Sequence, residues 1–311
     1  MIAAAVTWRI DATAARRAAV AYGRALNRRL AAAAGDDTTE RLAAKATWSL
    51  PEQAWLLAHS LCDGGLDDAD THRARVLVED VATRPRPANR LVVDPEALWV
   101  TEAVATIEGD LRAAGTDCSL RAGSVDPAGD RSTLDAALAL LRRCWPEAAL
   151  ECELLIREVV PVTGRGLANS SLPKAFGAVF VASGRGLVET FDALVHETGH
   201  HSLIVKTAFA PLLVNGKDLA PSPLRSDARP LVGTLHAVFV LVRVATALGR
   251  ALDHLDGADR RAASAFLTGY ELGIDKALST LARCARPTPA GARLLADLAG
   301  WSPSFLVGVA S

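Results

Sequence analysis

Apolar positions recur at three- and four-residue intervals along most of the chain. Residues 12–34 interleave Ala, Leu and Val with Arg in this way and predict an amphipathic helix. The same spacing continues over 51–62, 70–82 and 95–114, and the intervening Asp63-Gly64-Gly65 and Pro85-Arg86-Pro87 read as turns. A further helix is expected over 132–144, ending before Pro146. The texture then changes. Residues 154–162 are rich in β-branched side chains and 178–182 form a second short apolar run, so both are expected as strands around a Gly/Ser/Asn loop at 163–171. Helices are expected again over 187–206, 230–255, 260–282 and 291–298, with a proline-rich loop reaching to Arg229. The expected fold class is mainly α with a small β element (α+β). A helical N-terminal region, 1–147, would pack on a C-terminal region, 148–311, unless the two form one continuous domain.

Composition narrows the classes of partner. The chain has 311 residues, 50% of them apolar, which is enough to bury a sizeable core. A formal net charge of −1 argues against a nucleic-acid partner, and the excess of Arg over Lys reads as compositional bias. The apolar stretch 230–249 has the length of a membrane span, yet His236 and Arg243 lie inside it, so a buried core helix is expected and no membrane partner. The start, Met1 to Trp8, lacks a basic segment and reads as no targeting signal. Five scattered cysteines with no C-x-x-C pair argue against a disulfide framework and for a cytoplasmic location. The scattered tryptophans are expected in helix interfaces. The sequence does not fix an oligomeric state.

The chemistry concentrates in the helix expected at 187–206. It carries His196-Glu197-Thr198-Gly199-His200, an H-E-x-x-H run. Imidazoles four residues apart on a helix stand about 40° apart on one face and can share a metal ion. Glu197 lies beside them, placed to orient a bound water or move a proton. His201 points about 100° from His200 and is a poor ligand candidate. The third ligand decides the reaction. The metzincin pattern is absent after His200, which leaves Glu271, as in gluzincins, or His236. Counted from Arg229, Gly233 and His236 fall at i+4 and i+7, so all three would share one helix face, with a small residue leaving room beside the histidine. Arg225 and Arg229 lie within five residues of each other and can make bidentate contacts to a carboxylate. Glu189, seven residues before His196, could orient a ligand imidazole or cap the helix start. A strand ahead of an H-E-x-x-H helix is also the zincin arrangement, in which a strand edge captures an extended peptide.

Glu189-Thr190, the H-E-x-x-H run, Ser222-Pro223-Leu224-Arg225-Ser226-Asp227-Ala228-Arg229-Pro230-Leu231 and Gly233-Thr234-Leu235-His236 together resemble the H-E-x-x-H peptide β-hydroxylases. These are 2-oxoglutarate-dependent iron enzymes that modify ribosomally made peptides. The resemblance covers about Phe176 to Val240. It implies Fe(II) ligands at His196, His200 and His236, with Arg225 and Arg229 anchoring 2-oxoglutarate. The implied reaction uses dioxygen to convert a Cβ–H of a precursor-peptide residue to C–OH while the oxoacid becomes succinate and CO₂. The usual His-x-Asp form on a double-stranded β-helix is excluded, because the sole His-x-Asp, His254-Leu255-Asp256, contains the last histidine. Two other readings stay open. One is a zinc metallopeptidase of gluzincin type with Glu197 as general base and Glu271 or His236 as third ligand. The other is a non-catalytic, metal-stabilised peptide-binding module.

Overall fold

The computed structural model describes residues 7–35, 37–63, 65–84, 90–91, 95–167, 169–207, 211–221 and 228–301. In chain order the elements begin with α1 (Ala12–Ala34), α2 (Asp37–Ala43), α3 (Pro51–Asp63), α4 (Asp68–Thr83), β1 (Arg90–Leu91), α5 (Leu98–Ala113) and β2 (Ser119–Ala122). Then follow α6 (Pro127–Cys144), α7 (Pro146–Leu155), β3 (Glu158–Arg165), β4 (Asn169–Ser170), β5 (Ala178–Ala182) and α8 (Leu187–Thr207). The chain closes with β6 (Leu219–Pro221), β7 (Ala228–Pro230), α9 (Leu231–Ala251), α10 (Gly257–Cys284) and α11 (Pro289–Ala299). The protein is mainly helical with a small sheet.

The strand expected from residue 154 begins only at Glu158, because Leu154 and Leu155 complete α7. Pro146 does end one helix, as its missing N–H requires. It also occupies the first position of the next, where that N–H would have no partner anyway. The loop expected at 163–171 contains the end of β3 and all of β4. Gly164 and Gly166 sit there at φ of 114° and 92°, conformations open chiefly to glycine.

Two compact units divide the chain, and each is discontinuous in sequence. One comprises Ala15–Ser132 and Cys152–Arg185. Its sheet runs β1-β3-β5-β4, with β2 also pairing with β3. The parallel pair β3–β5 forms its centre, and Val160, Val162 and Phe180 join Trp55, Trp99, Val104 and Ile107 of α3 and α5 in one apolar cluster. Buried amides tie α1 to α3: Gln53 Nε2 donates to Asn27 Oδ1 at 2.8 Å, and Asn27 Nδ2 donates to the Trp48 carbonyl at 2.7 Å.

The other unit comprises the start of the chain to Ala14, Thr133–Glu151 and everything from Gly186 onward. Its centre is α9, packed against α8 and α10. Leu235, Val238, Phe239, Val240, Val242, Val244 and Leu248 are all fully buried there. Each such side chain contributes about 1.5–3 kcal/mol when removed from water. The segment Leu231–His254 is long and apolar enough to cross a membrane, but 78% of its most apolar window is buried within the protein, as a core helix requires. Trp8 and Trp145 are buried in this unit, and Trp48, Trp55 and Trp99 in the other, so these tryptophans pack in the interior.

Candidate metal centre

The helix that carries the H-E-x-x-H run is fixed along most of its circumference. Val188, Phe191, Leu194, Val195 and Leu203 of α8 are buried, which leaves the line Asp192, His196, His200 as its chemical face. Glu189 turns back to the helix start: its Oε2 lies 2.8 Å from where a Cβ on Gly186 would stand. This is the position of a capping carboxylate at the third residue of a helix. Glu197 is only 2% exposed, and His201 is fully buried.

The third histidine comes from α9. Arg229 is in β7, opposite Ala220 of β6, and α9 begins after Pro230. The shared helical face expected for Arg229, Gly233 and His236 therefore reduces to Gly233 and His236. The physical reason is the proline, whose ring bars the preceding residue from helical conformations. The close approach of α8 to α9 is made possible by Gly199. A Cβ there would lie 3.1 Å from Cγ2 of Val240, one turn beyond His236.

These contacts bring three imidazoles together. The rings of His196 and His200 have centroids 5.1 Å apart, and those of His200 and His236 stand 6.2 Å apart at an interplanar angle of 30°. A metal–nitrogen bond of about 2.1 Å puts a ring centre about 3.2 Å from the ion, so two imidazoles on one ion stand about 4.5–5.2 Å apart. The first pair has that spacing already, and the second is about 1 Å wide of it. Accordingly, no three His, Cys, Asp or Glu side chains among the described residues already converge as a closed metal cage. Burial pushes the pKa of His196 and His200 down to about 4, and lowers that of His236 as well. All three are therefore neutral at pH 7, the form that binds metal. Neutral imidazoles are a donor type that divalent cations take, but the rings of His200 and His236 stand about 1 Å too far apart to share one ion as they are placed.

Two residues of this neighbourhood were not among those picked out from the sequence. Asp192 lies one turn before His196 and is 8% exposed. It accepts a hydrogen bond from the Tyr270 hydroxyl at 2.7 Å. Burial raises its pKa to about 6 despite that bond, and the negative charges of Glu197 and Glu189 add to the rise. Tyr270 is raised too, chiefly by burial. Asp192 had a sequence signal, since it precedes His196 and His200 at four-residue spacing. Tyr270 had none, because α10 meets α8 only in the folded chain. Tyr270 of α10, the neighbour of the alternative ligand Glu271, thus bonds to α8. Arg225 lies outside the described residues.

Comparison with protein-family models and with curated proteins finds no match.

Behind the histidine face, a buried ionic cluster joins the helices. Glu151 of α7 accepts a hydrogen bond from Ser202 of α8 at 2.8 Å and is paired with Arg243 of α9. The side chains of Glu151 and Arg243 are 1% and 2% exposed. Lys206 stands 3.9 Å from the same carboxylate, and its ammonium and the Arg243 guanidinium both lie over the Phe239 ring, at 5.2 and 5.4 Å. Burial pushes Lys206 down to about 8. Glu151 thus links the helix of His200 to the helix of His236.

Proposed function

We propose that this protein is an Fe(II)- and 2-oxoglutarate-dependent hydroxylase of a ribosomally made precursor peptide. His196, His200 and His236 would hold the metal. The observation that carries this reading is the 6.2 Å approach of the His236 ring to His200 across 36 residues of chain. It supports His236, rather than Glu271, as the third donor beside the H-E-x-x-H pair. When bound, iron with the oxoacid and dioxygen supplies the oxidising power to convert a peptide Cβ–H to C–OH, yielding succinate and CO₂. The chain's own residues do the rest. The buried imidazoles stay neutral and present lone pairs. Glu197, beside His200 and nearly excluded from solvent, holds a water or substrate amide close to the metal face. Asp192, fixed by the Tyr270 hydroxyl, adds a second carboxylate that is partly protonated near pH 6. By resemblance, Arg225 and Arg229 anchor the distal carboxylate of the oxoacid, whose planar charge suits a guanidinium. A cytoplasmic location accords with a substrate fresh from the ribosome.

A zinc peptidase is the second reading, favoured by the burial of Glu197 beside His200, where a general base for a metal-bound water would sit. Anaerobic addition of Fe(II) and 2-oxoglutarate separates the two. The hydroxylase gives a weak visible charge-transfer absorption that His236→Ala abolishes. No such band, together with zinc-dependent peptide cleavage, would overturn the proposal. Neither band nor cleavage would leave a metal-stabilised peptide-binding module.

A further inference from the structure

The C-terminal half of α8 is held by directed contacts. Gly199 lets α9 approach at Val240, and the Ser202 hydroxyl donates to Glu151 at 2.8 Å. Ahead of His196, Val188, Phe191, Leu194 and Val195 are buried. Apolar contacts of that kind press a helix into place but are non-directional, so they fix its rotation only loosely. Asp192 supplies the direction there. It is buried, and its Oδ1 accepts from the Tyr270 hydroxyl at 2.7 Å. Tyr270 itself stands on a firmly seated helix. Ile274, Ala277 and Leu281 follow it at helical spacing and are buried, and α10 packs along α9. The hydrogen bond therefore ties the helix of His196 and His200 to the helix packed on that of His236.

The effect of such a tie can be sized. Side chains end about 5–6 Å from a helix axis, so rotating α8 by about 10° carries each end by about 1 Å. A hydrogen bond is lost beyond about 3.5 Å, so the bond to Tyr270 confines α8 to a rotation of about that size. Metal–ligand distances tolerate only about 0.2 Å. The rings of His200 and His236 already stand about 1 Å wide of a shared ion. The rotation of α8 is thus a coordinate on which their meeting depends.

We propose that Tyr270 and Asp192 are positioning residues: their hydrogen bond fixes the rotation of α8 and so aims His196 and His200 at the metal position they share with His236. This rests on the reading of those histidines as ligands and is independent of the reaction that follows.

The test titrates Co(II), whose visible absorption reports the geometry of its ligands, into the metal-free protein. Wild type is compared with Tyr270→Phe, Asp192→Leu, Asp192→Asn and the double variant Tyr270→Phe with Asp192→Leu. Tyr270→Phe keeps the ring and removes only the hydroxyl. Co(II) affinity should fall by roughly tenfold in Tyr270→Phe and in Asp192→Leu, with an altered visible spectrum. The double variant should lose no more than either single one, because the two groups act as a pair. Asp192→Asn, whose amide oxygen still accepts from the tyrosine, should bind within about threefold of wild type. Wild-type affinity and spectrum in Tyr270→Phe would overturn the proposal. So would an Asp192→Asn as weak as Asp192→Leu, which would make the charge of Asp192 its contribution. Failure of the wild type to bind Co(II), or binding that survives His196→Ala and His200→Ala, would instead refute the metal reading, and this inference with it.

Discussion

Replacing Glu151 with alanine removes a carboxylate at which α7, α8 and α9 meet. The cost can be worked from its surroundings. Arg243 is fully buried, and among the described residues its Nε and Nη1 have no hydrogen-bond partner, so the bond from Nη2 to Glu151 is its polar anchor. Burial pushes the Arg243 pKa down to about 9, which still leaves it charged at pH 7. Glu151→Ala therefore strands one buried cation completely, leaves Lys206 beside it, and takes the acceptor from the Ser202 hydroxyl. Breaking a buried pair on one side costs about 3–5 kcal/mol, a large share of the roughly 5–15 kcal/mol that stabilises a domain. At about 2–4 °C per kcal/mol, the thermal midpoint should fall by about 6–20 °C. Replacing both partners by apolar residues of similar size avoids the stranded charge, so Glu151→Met with Arg243→Met should recover most of the loss. Urea denaturation of the single and double variants provides the assay, with iron uptake recorded in parallel. A single variant less than about 1 kcal/mol below wild type, or a double variant no better than the single, would refute the reasoning.

His236→Ala should abolish stoichiometric metal binding while Glu271→Ala leaves it intact, by metal analysis after dialysis; the reverse pattern would move the third ligand to α10. Gly199→Val places methyl groups where a Cβ is already 3.1 Å from Val240. It should cost about 1–3 kcal/mol and weaken metal binding by parting His200 from His236, with far-ultraviolet circular dichroism unchanged; undiminished metal affinity would contradict this. Acid should destabilise the metal-free protein. His196 and His200 titrate near 4 when folded against 6.5 ordinarily, so the unfolded chain takes up protons first and their stabilisation, complete above pH 6.5, drains away toward pH 4. Asp192 acts in the opposite sense: raised from 3.8 to about 6, it favours the folded state at low pH, and that contribution is lost as pH rises through this window. Between pH 7 and 5 the wild type should lose about 2 kcal/mol and Asp192→Asn about 4 kcal/mol, and equal losses in urea titrations would count against this assignment.

The hydrophobic spacing carried most of the helical architecture because most helices here are long enough to show several turns of it. The bounds of α1 and β5 coincide with those expected. The failures have local causes. The Leu/Ile/Val run after residue 153 is buried in both α7 and β3, so burial alone could not place the boundary between them. Strands of two or three residues, such as β1, β4, β6 and β7, are too short for alternation to register. Arg229 was assigned to a helix by counting, although Pro230 beside it already argued for extended backbone. The interleaving of the two compact units leaves no trace in the pattern, since it depends on which distant segments pack together. At the site, Asp192 was readable from its spacing. The Tyr270 hydroxyl, the Glu151–Arg243 pair and the Gly199–Val240 contact exist only in three dimensions.

The central claim is that the histidine trio serves oxidation rather than hydrolysis. Its most direct test is mass spectrometry of a ribosomal precursor peptide incubated in air with the protein, Fe(II) and 2-oxoglutarate. An intact peptide heavier by one oxygen atom should form together with succinate, and should be absent with His236→Ala. A peptide cleaved into fragments by the zinc-loaded protein, with no oxygenated product under any metal, would contradict it.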